Sequence, residues 1–112
     1  MDCLFCRIIA GEIPSKKLYE DDDVLAFYDI DPQAPVHFLV IPKAHISGPA
    51  AINEENCAVV GKVYAVIARL AKELHLDNGY RVVSNCGKDG GQTVGHLHFH
   101  VLAGRNLAWP PG

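Results

Sequence analysis

Three of the six histidines in this 112-residue chain lie within five residues, as His96, His98 and His100. Apolar residues separate them. On a β-strand, where alternate side chains point to the same face, the three imidazoles would therefore form one row. Such a row suits two kinds of chemistry: alternate histidines can bind a metal ion, and a neutral imidazole can attack phosphorus as a nucleophile. Packing alone explains the row poorly, because each buried polar ring needs a partner.

The loop that precedes the row favours phosphate chemistry. Residues 87–95 contain four glycines, together with Gln92 and Thr93. Free backbone N–H groups, an amide and a hydroxyl are all donors to an anion. A metal site would not need these donors, so the loop and the row together favour attack on a phosphate over a three-histidine metal site.

Two helices are predicted from hydrophobic periodicity and chain breakers. A short helix is predicted over residues 3–10, where Gly11 ends it. A long helix is predicted from Asn53, as its N-cap, to about His75, with the two glutamates that follow Asn53 in its first turn. One apolar stripe of the long helix contains Val59, Val63, Val66, Ile67, Leu70 and Leu74.

The remaining regular segments are predicted to be strands, at residues 17–19, 24–29, 36–41, 80–85 and 96–102. Short connections favour antiparallel pairing, so the predicted class is α+β. We expect an antiparallel sheet of about five strands, with the long helix on one face and a short N-terminal helix. On strand 36–41, His37 would share a face with Leu39 and Ile41.

Composition is that of one compact soluble domain spanning residues 1–112. Hydrophobic residues make up 49% of the chain, charged residues 21%, and the net charge is −3. No apolar run approaches the roughly 20 residues that span a bilayer, so no membrane association is expected. The mild negative charge gives no reason to expect nucleic-acid binding. The first residues lack a signal-peptide layout, so a cytoplasmic location is expected.

Four cysteines are present, and two of them form a Cys-x-x-Cys pair, Cys3 and Cys6. Alone, this pair is compatible with a redox couple, half of a metal site or chance. Cys57 falls in the predicted long helix and Cys86 at the end of a strand. These two are expected to be small buried hydrophobic residues.

With its motifs assembled, the chain resembles the histidine triad (HIT) superfamily. That family has the pattern His-φ-His-φ-His-φ-φ, where φ is apolar, and residues 96–102 match it at every position. The Hint branch is the most similar. Its other matching stretches are residues 29–35, 37–46, 89–92 and 109–112.

The resemblance implies a hydrolase or nucleotidyl transferase that acts on purine nucleotides without an organic cofactor. Typical substrates are adenosine 5′-phosphoramidates, cleaved to AMP and an amine. His98 would be the nucleophile and form a nucleotidyl-histidine intermediate. A backbone carbonyl is expected to hold its other ring nitrogen. His100 would contact phosphate and leaving-group oxygens, and His37 would assist orientation or proton transfer.

The resemblance also implies a nucleotide-binding set. Asp29 would accept hydrogen bonds from the ribose hydroxyls. The base would occupy an apolar slot formed by Phe5, Ile8, Phe27, Tyr28 and Ile30. The phosphate would be bound by Gln92 and Thr93, with Gly91 and Asn85 in support.

In the subgroup with an N-terminal Cys-x-x-Cys pair, the resemblance implies a structural zinc ion. Its ligands would be Cys3, Cys6, His45 and His96, a closed Cys₂His₂ set. Hint proteins are homodimers, so Trp109 in the C-terminal tail is expected near the partner's active site.

Three alternatives remain open at this stage. Gln92-Thr93-Val94 also occurs in Fhit-like dinucleoside polyphosphate hydrolases, which gives an alternative substrate class. The chain could instead be a nucleotide-binding adaptor with residual turnover, or a metallohydrolase that uses all three histidines. Gly95 stands where a bulkier residue is common and is expected to widen the pocket near the phosphate.

Overall fold

The computed structural model describes residues 2–112 and contains five strands and two α-helices. The helices are α1, Leu4–Ile9, and α2, Ala58–Glu73, with a 3₁₀ turn at Pro49–Ala51. The strands are β1, Lys17–Glu20, β2, Val24–Tyr28, β3, Val36–Pro42, β4, Tyr80–Val83, and β5, Phe99–Ala103. They form one antiparallel sheet in the order β1-β2-β3-β5-β4, which confirms the predicted class and architecture. Among the described residues, no helix has both the length and the apolar character needed to cross a membrane.

The central strand β3 is buried on both faces, and its side chains alternate between two separate cores. One face packs against α2. This larger core includes Phe38, Val40, Val63, Val66, Ile67, Leu70, Leu97, Phe99 and Val101. The other face is covered by α1, in a smaller core made of Phe5, Ile8, Leu25, Phe27, Leu39 and Ile41. Because α1 is only six residues long, it leaves part of this second face open.

The strand that carries the histidine row is shorter than predicted at its start. Ladder pairing begins at Phe99, opposite Val40, and His96 and His98 precede it. Continued pairing would set Pro42 opposite Leu97, and proline has no N–H to donate. Leu97 donates instead to the carbonyl oxygen of Ile46 at 2.6 Å.

The start of α2 is also later than predicted. The helix begins at Ala58, and residues 54–57 form a turn. The Asn53 side chain accepts hydrogen bonds from the backbone N–H groups of Glu55 and Asn56, at 2.8 and 3.0 Å. It therefore caps this turn and not the helix, because an asparagine side chain can satisfy a local turn equally well. Both glutamates lie outside the first helical turn.

The expectation that Cys57 and Cys86 are buried is wrong, because both are exposed. Cys57 is the residue before α2, ahead of the buried stripe, which starts at Val63. Cys86 lies in the glycine-rich loop after β4. Position in the fold overrides the general tendency of cysteine to be buried.

Candidate active site and metal centre

His98 is held in one tautomer by the backbone. Its Nδ1 donates to the carbonyl oxygen of His96 at 2.7 Å, the acceptor that the sequence led us to expect. Because Nδ1 carries the proton, Nε2 keeps a free lone pair. The ring is buried, and Phe5 packs against it edge-on at 5.2 Å. The arrangement leaves His98 with one nucleophilic nitrogen in a fixed position.

His37 and His100 form a second, ordered pair on the same face of the sheet. The backbone N–H of Gln33 donates to His37 Nδ1 at 3.0 Å, so the proton of His37 lies on Nε2. That Nε2 lies 2.9 Å from His100 Nδ1 and donates to it. His100 must then carry its own proton on Nε2, which makes it a hydrogen-bond donor to a bound group.

The charge state of His100 follows from its surroundings. Burial, and after it the imidazoles of His98 and His37, lowers the pKa of His100 to about 4, against an opposing effect of the Asp29 carboxylate. At pH 7 the ring is therefore neutral. His100 offers an N–H dipole at the site and not a full positive charge.

A cavity of about 280 Å³ lies in front of these histidines. Its wall brings together most of the predicted site, namely Phe5, Ile8, Phe27, Tyr28, Asp29, Ile30, Thr93, His98 and His100. It is not the largest hollow of the molecule, but it is the one whose wall contains the proposed nucleophile. Its volume is near the lower end of the range for small-molecule sites, roughly 300 Å³. The wall is largely apolar, with its charged and imidazole groups contributed by Asp29 and the two triad histidines.

Asp29 is positioned by the turn after β2. One carboxylate oxygen accepts the backbone N–H of Asp31 at 2.8 Å. The other, Oδ2, lies 3.4 Å from His37 Nε2 and 3.8 Å from His100 Nδ1. The carboxylate therefore borders both the cavity and the histidine pair, and it retains lone pairs for a ligand.

The glycine-rich loop brings only part of its predicted set to the cavity. Gln92 donates to the carbonyl oxygens of Ser47 and Val94, at 2.8 and 3.1 Å, and accepts the backbone N–H of Gly87. Asn85 donates to the carbonyl oxygen of Gly90 at 2.6 Å. Neither of these side chains lines the cavity, and neither does Gly91, whose φ of 76° is one that glycine adopts readily. These three residues shape the loop, while Thr93 reaches the cavity.

Sequence reasoning missed two polar groups near the site. The first is the backbone N–H of Gln33, which sets the tautomer of His37. The second is Ser15, which lines the cavity although nothing in the pattern marked it. A backbone contact from a loop leaves no signature in residue type, and an isolated serine beside a proline reads as an ordinary turn residue.

A second cluster joins the N-terminus to the start of the triad. One donor atom from each of Cys3, Cys6, His45 and His96 lies within 4.8 Å of all the others. His96 Nδ1 lies 3.3 Å from Cys3 Sγ, 3.6 Å from Cys6 Sγ and 3.1 Å from His45 Nδ1. Ligands of a tetrahedral zinc ion are separated by about 3.3–3.8 Å. Both Nδ1–Sγ distances lie in this range and the Nδ1–Nδ1 distance lies just below it, so the donor types and the clustering suit a closed Cys₂His₂ centre.

The protonation of this cluster also suits a metal. His96 Nε2 donates to the carbonyl oxygen of Pro42 at 2.8 Å, which leaves Nδ1 as the free ligand atom. Burial lowers the pKa of His96, so its ring is neutral, the form that binds metals. Burial and the neighbouring Cys3 raise the pKa of the Cys6 thiol. A bound cation would favour the thiolate that this environment otherwise disfavours.

Asp29, His37 and His100 form another compact group of metal-binding residue types. His37 does not suit that role, because its Nδ1 accepts the Gln33 N–H and its Nε2 must keep its proton. The three triad rings also do not converge on one point, since His96 faces the cysteines and His98 Nδ1 is bound to a carbonyl. This geometry disfavours a metallohydrolase that uses all three histidines.

Comparisons with known proteins agree with this architecture. The HIT domain model matches residues 10–107. A 14 kDa zinc-binding protein of Zea mays is 48% identical, over 97% of this chain and 87% of the maize protein. A HIT family hydrolase from Legionella pneumophila superposes with a TM-score of 0.97 at 45% identity, over 99% of this chain and 100% of that chain. A histidine triad nucleotide-binding protein from Candida albicans gives a TM-score of 0.82 at 37% identity, over 97% of this chain and 83% of that chain. The chain belongs to the HIT family.

Proposed function

We propose that this protein hydrolyses purine nucleoside 5′-phosphoramidates, or related conjugates of AMP, through a covalent nucleotidyl-histidine on His98. The observation that carries the proposal is the hydrogen bond from His98 Nδ1 to the His96 carbonyl, which leaves Nε2 reactive at a cavity wall. The Legionella relative is described as a hydrolase, and the Candida relative as nucleotide-binding. Both descriptions support the assignment of this class of reaction.

In the first step, His98 Nε2 attacks phosphorus, and the bond from phosphorus to the leaving nitrogen breaks. The leaving nitrogen takes a proton from solvent and departs as an amine. The ring now carries the phosphoryl group on Nε2 and a proton on Nδ1. The His96 carbonyl stabilises this cationic ring because it already accepts that proton in a hydrogen bond.

In the second step, water attacks phosphorus and the bond to Nε2 breaks. The lone pair returns to Nε2, the water proton passes to solvent, and AMP is released. His100 donates its Nε2–H to phosphate or leaving-group oxygens, and His37 holds it in the donating orientation. Thr93 is the hydroxyl donor that the loop brings to the same cavity.

Asp29 and the apolar wall would bind the nucleoside. The carboxylate of Asp29 accepts hydrogen bonds from the two ribose hydroxyls. The base lies against Phe5, Ile8 and Phe27, with Tyr28 and Ile30 at the edges of the slot. Ile30 is fully exposed, so a base bound against it would remove apolar surface from water.

A zinc ion bound by Cys3, Cys6, His45 and His96 would be structural. When bound, it supplies a cross-link between the N-terminal segment and the triad segment, and all four positions of a tetrahedral ion are then filled by protein. The 14 kDa maize relative is described as zinc-binding, which supports this assignment.

The active form is proposed to be a homodimer. β4 is an edge strand, with unpaired backbone groups along one side. Arg81 on β4 donates to the carbonyl oxygen of Ala108 and so ties the tail to that edge. Trp109, 82% exposed, follows directly and would reach the partner's site.

A covalent trap tests the proposed reaction. Wild-type protein is mixed with an adenosine 5′-phosphoramidate, quenched and analysed by mass spectrometry for AMP on His98. We expect the adduct and AMP release in the wild type. In His98→Ala we expect neither, although AMP still binds. His75→Asn is the matched control, because His75 is exposed and far along the chain from the site, at a positive φ that asparagine tolerates.

Other outcomes identify the alternatives. Binding of AMP without any turnover by the wild type would indicate a nucleotide-binding adaptor. Faster cleavage of a dinucleoside polyphosphate than of the phosphoramidate would indicate a dinucleoside polyphosphate hydrolase. Loss of turnover on chelation, with no adduct at any time, would indicate a metallohydrolase.

A further inference from the structure

The cavity wall contains a buried hydroxyl with no partner. Ser15 Oγ is closed to solvent, and among residues 2–112 it is the only buried side-chain nitrogen or oxygen without a hydrogen bond. Buried polar groups are nearly always paired, because an unpaired one loses its hydration and gains nothing in return. An exception beside a ligand cavity suggests that the ligand supplies the missing partner.

Ser15 belongs to the part of the wall that is proposed to hold the base. It lines the cavity together with Ile13 and Pro14, which precede it, and with the apolar side chains of Phe5 and Ile8. The charged group and the imidazoles of the wall are already assigned to ribose and phosphate. Tyr28 packs its ring against the Lys16 ammonium group at 5.4 Å. Ser15 is thus a small polar residue on an otherwise apolar part of the wall, with its hydroxyl closed to solvent in this rotamer.

A purine base that enters an apolar slot loses water from its polar edge. Adenine carries a 6-amino donor and guanine a 6-oxo acceptor. A serine hydroxyl can both donate and accept, so it can match either substituent. Rotation about its Cα–Cβ bond, between staggered positions, can present the oxygen to the cavity without moving the backbone.

We propose that Ser15 is a specificity-determining residue whose hydroxyl binds the 6-substituent of the purine base. This assignment rests on the proposed function, since it concerns the nucleoside bound in that cavity. It adds a polar contact to a slot whose other predicted contacts are apolar.

The test compares two nucleotides that differ only at this substituent. Affinities of wild type and Ser15→Ala are measured by titration calorimetry for AMP and for purine ribonucleoside 5′-monophosphate, which lacks the 6-amino group. We expect Ser15→Ala to bind AMP about 2- to 10-fold more weakly, the range for one neutral hydrogen bond, and the analogue equally well. Ser84→Ala, at an exposed serine outside the cavity, should change neither affinity.

Thermal unfolding separates binding from a structural role. Since the hydroxyl has no partner in the free protein, the Tm of Ser15→Ala should equal or exceed that of the wild type. A lower Tm with equal losses for both nucleotides, or no loss for AMP, would overturn the assignment. A wild type that binds neither nucleotide would instead overturn the proposed function, and the role of Ser15 with it.

Discussion

Two hydrogen bonds with the backbone fix the tautomers of His98 and His37. The His96 carbonyl holds His98 Nδ1, and the Gln33 N–H fixes the proton of His37 and so that of His100. A carbonyl acceptor for His98 was predictable from the sequence, since a nucleophilic imidazole needs an acceptor for its other nitrogen. The Gln33 contact was not predictable, because every residue except proline has a backbone N–H and residue type does not show which one meets His37.

The lowered pKa of His100 predicts an acid-sensitive stability. The folded protein favours the neutral ring with a pKa of about 4, whereas an unfolded histidine titrates near 6.5. Between these values the unfolded state binds more protons, so the free energy of unfolding falls as pH drops from 6.5 to 4. We expect the protonation of this ring to lower the free energy of unfolding by about 1–3 kcal/mol over this pH range.

Urea denaturation at pH 7 and pH 4.5 measures this effect, with His100→Gln as the comparison. The drop between the two pH values should be smaller in the variant than in the wild type. Glu20 affects stability only at lower pH, because hydrogen bonds from Lys17 and Lys43 lower its pKa to about 2. If the free energy of unfolding falls equally in the wild type and the variant, the acid sensitivity does not come from His100.

At the scale of elements, the sequence predicted which segments are regular better than where they begin. A nearly continuous apolar run was sufficient to predict β3, which is buried on both faces. It was insufficient for the start of β5, because pairing depends on Pro42 in another strand. The start of α2 was misplaced because the Asn53 side chain satisfies a turn and a helix by the same contact.

The short helix α1 predicts a measurable effect of metal removal. Cys3 and Cys6 bracket its first turn, and its Phe5 ring contacts both His96 and His98. A bound ion would thus restrain the helix that walls the cavity. We expect a chelator to lower Tm by at least about 5 °C, which is about 1 kcal/mol for a domain of this size.

The four cysteines of the chain provide matched control variants for this experiment. A Cys3→Ser, Cys6→Ser double variant should show the low Tm without chelator and no further response. Cys57→Ser, at an exposed cysteine, should behave as the wild type. Atomic absorption should find about one zinc ion per wild-type chain. A chelator effect that persists in the double variant would contradict the four-ligand assignment.

At the scale of the whole molecule, one sheet separates the larger core from the proposed site. α2 and the larger core occupy one face, while the cavity and the cysteine–histidine cluster (Cys3, Cys6, His45 and His96) lie on the other. This division was predictable, because three histidines at a spacing of two residues must alternate with core residues. The extent of the open area was not, since it depends on how little of the face α1 covers.

The tail predicts a link between assembly and substrate choice. Sedimentation equilibrium should give the mass of two chains. Trp109→Ala should keep that mass and the AMP affinity, but change kcat/KM for phosphoramidates with bulky amines, because the exposed ring would border the partner's leaving group. A monomeric wild type, or unchanged kcat/KM for every amine, would contradict this role.

His96 takes part in both sites, but through different atoms. Its side chain belongs to the cysteine–histidine cluster, while its carbonyl oxygen orients His98. Every amino acid has that carbonyl, so the orientation of the proposed nucleophile depends on the path of the main chain. A substitution that replaces the imidazole at position 96 would therefore remove a proposed metal ligand but keep the carbonyl that accepts from His98 Nδ1. In this respect the proposed role of His98 depends on the main chain of residue 96, and the proposed metal binding depends on its side chain.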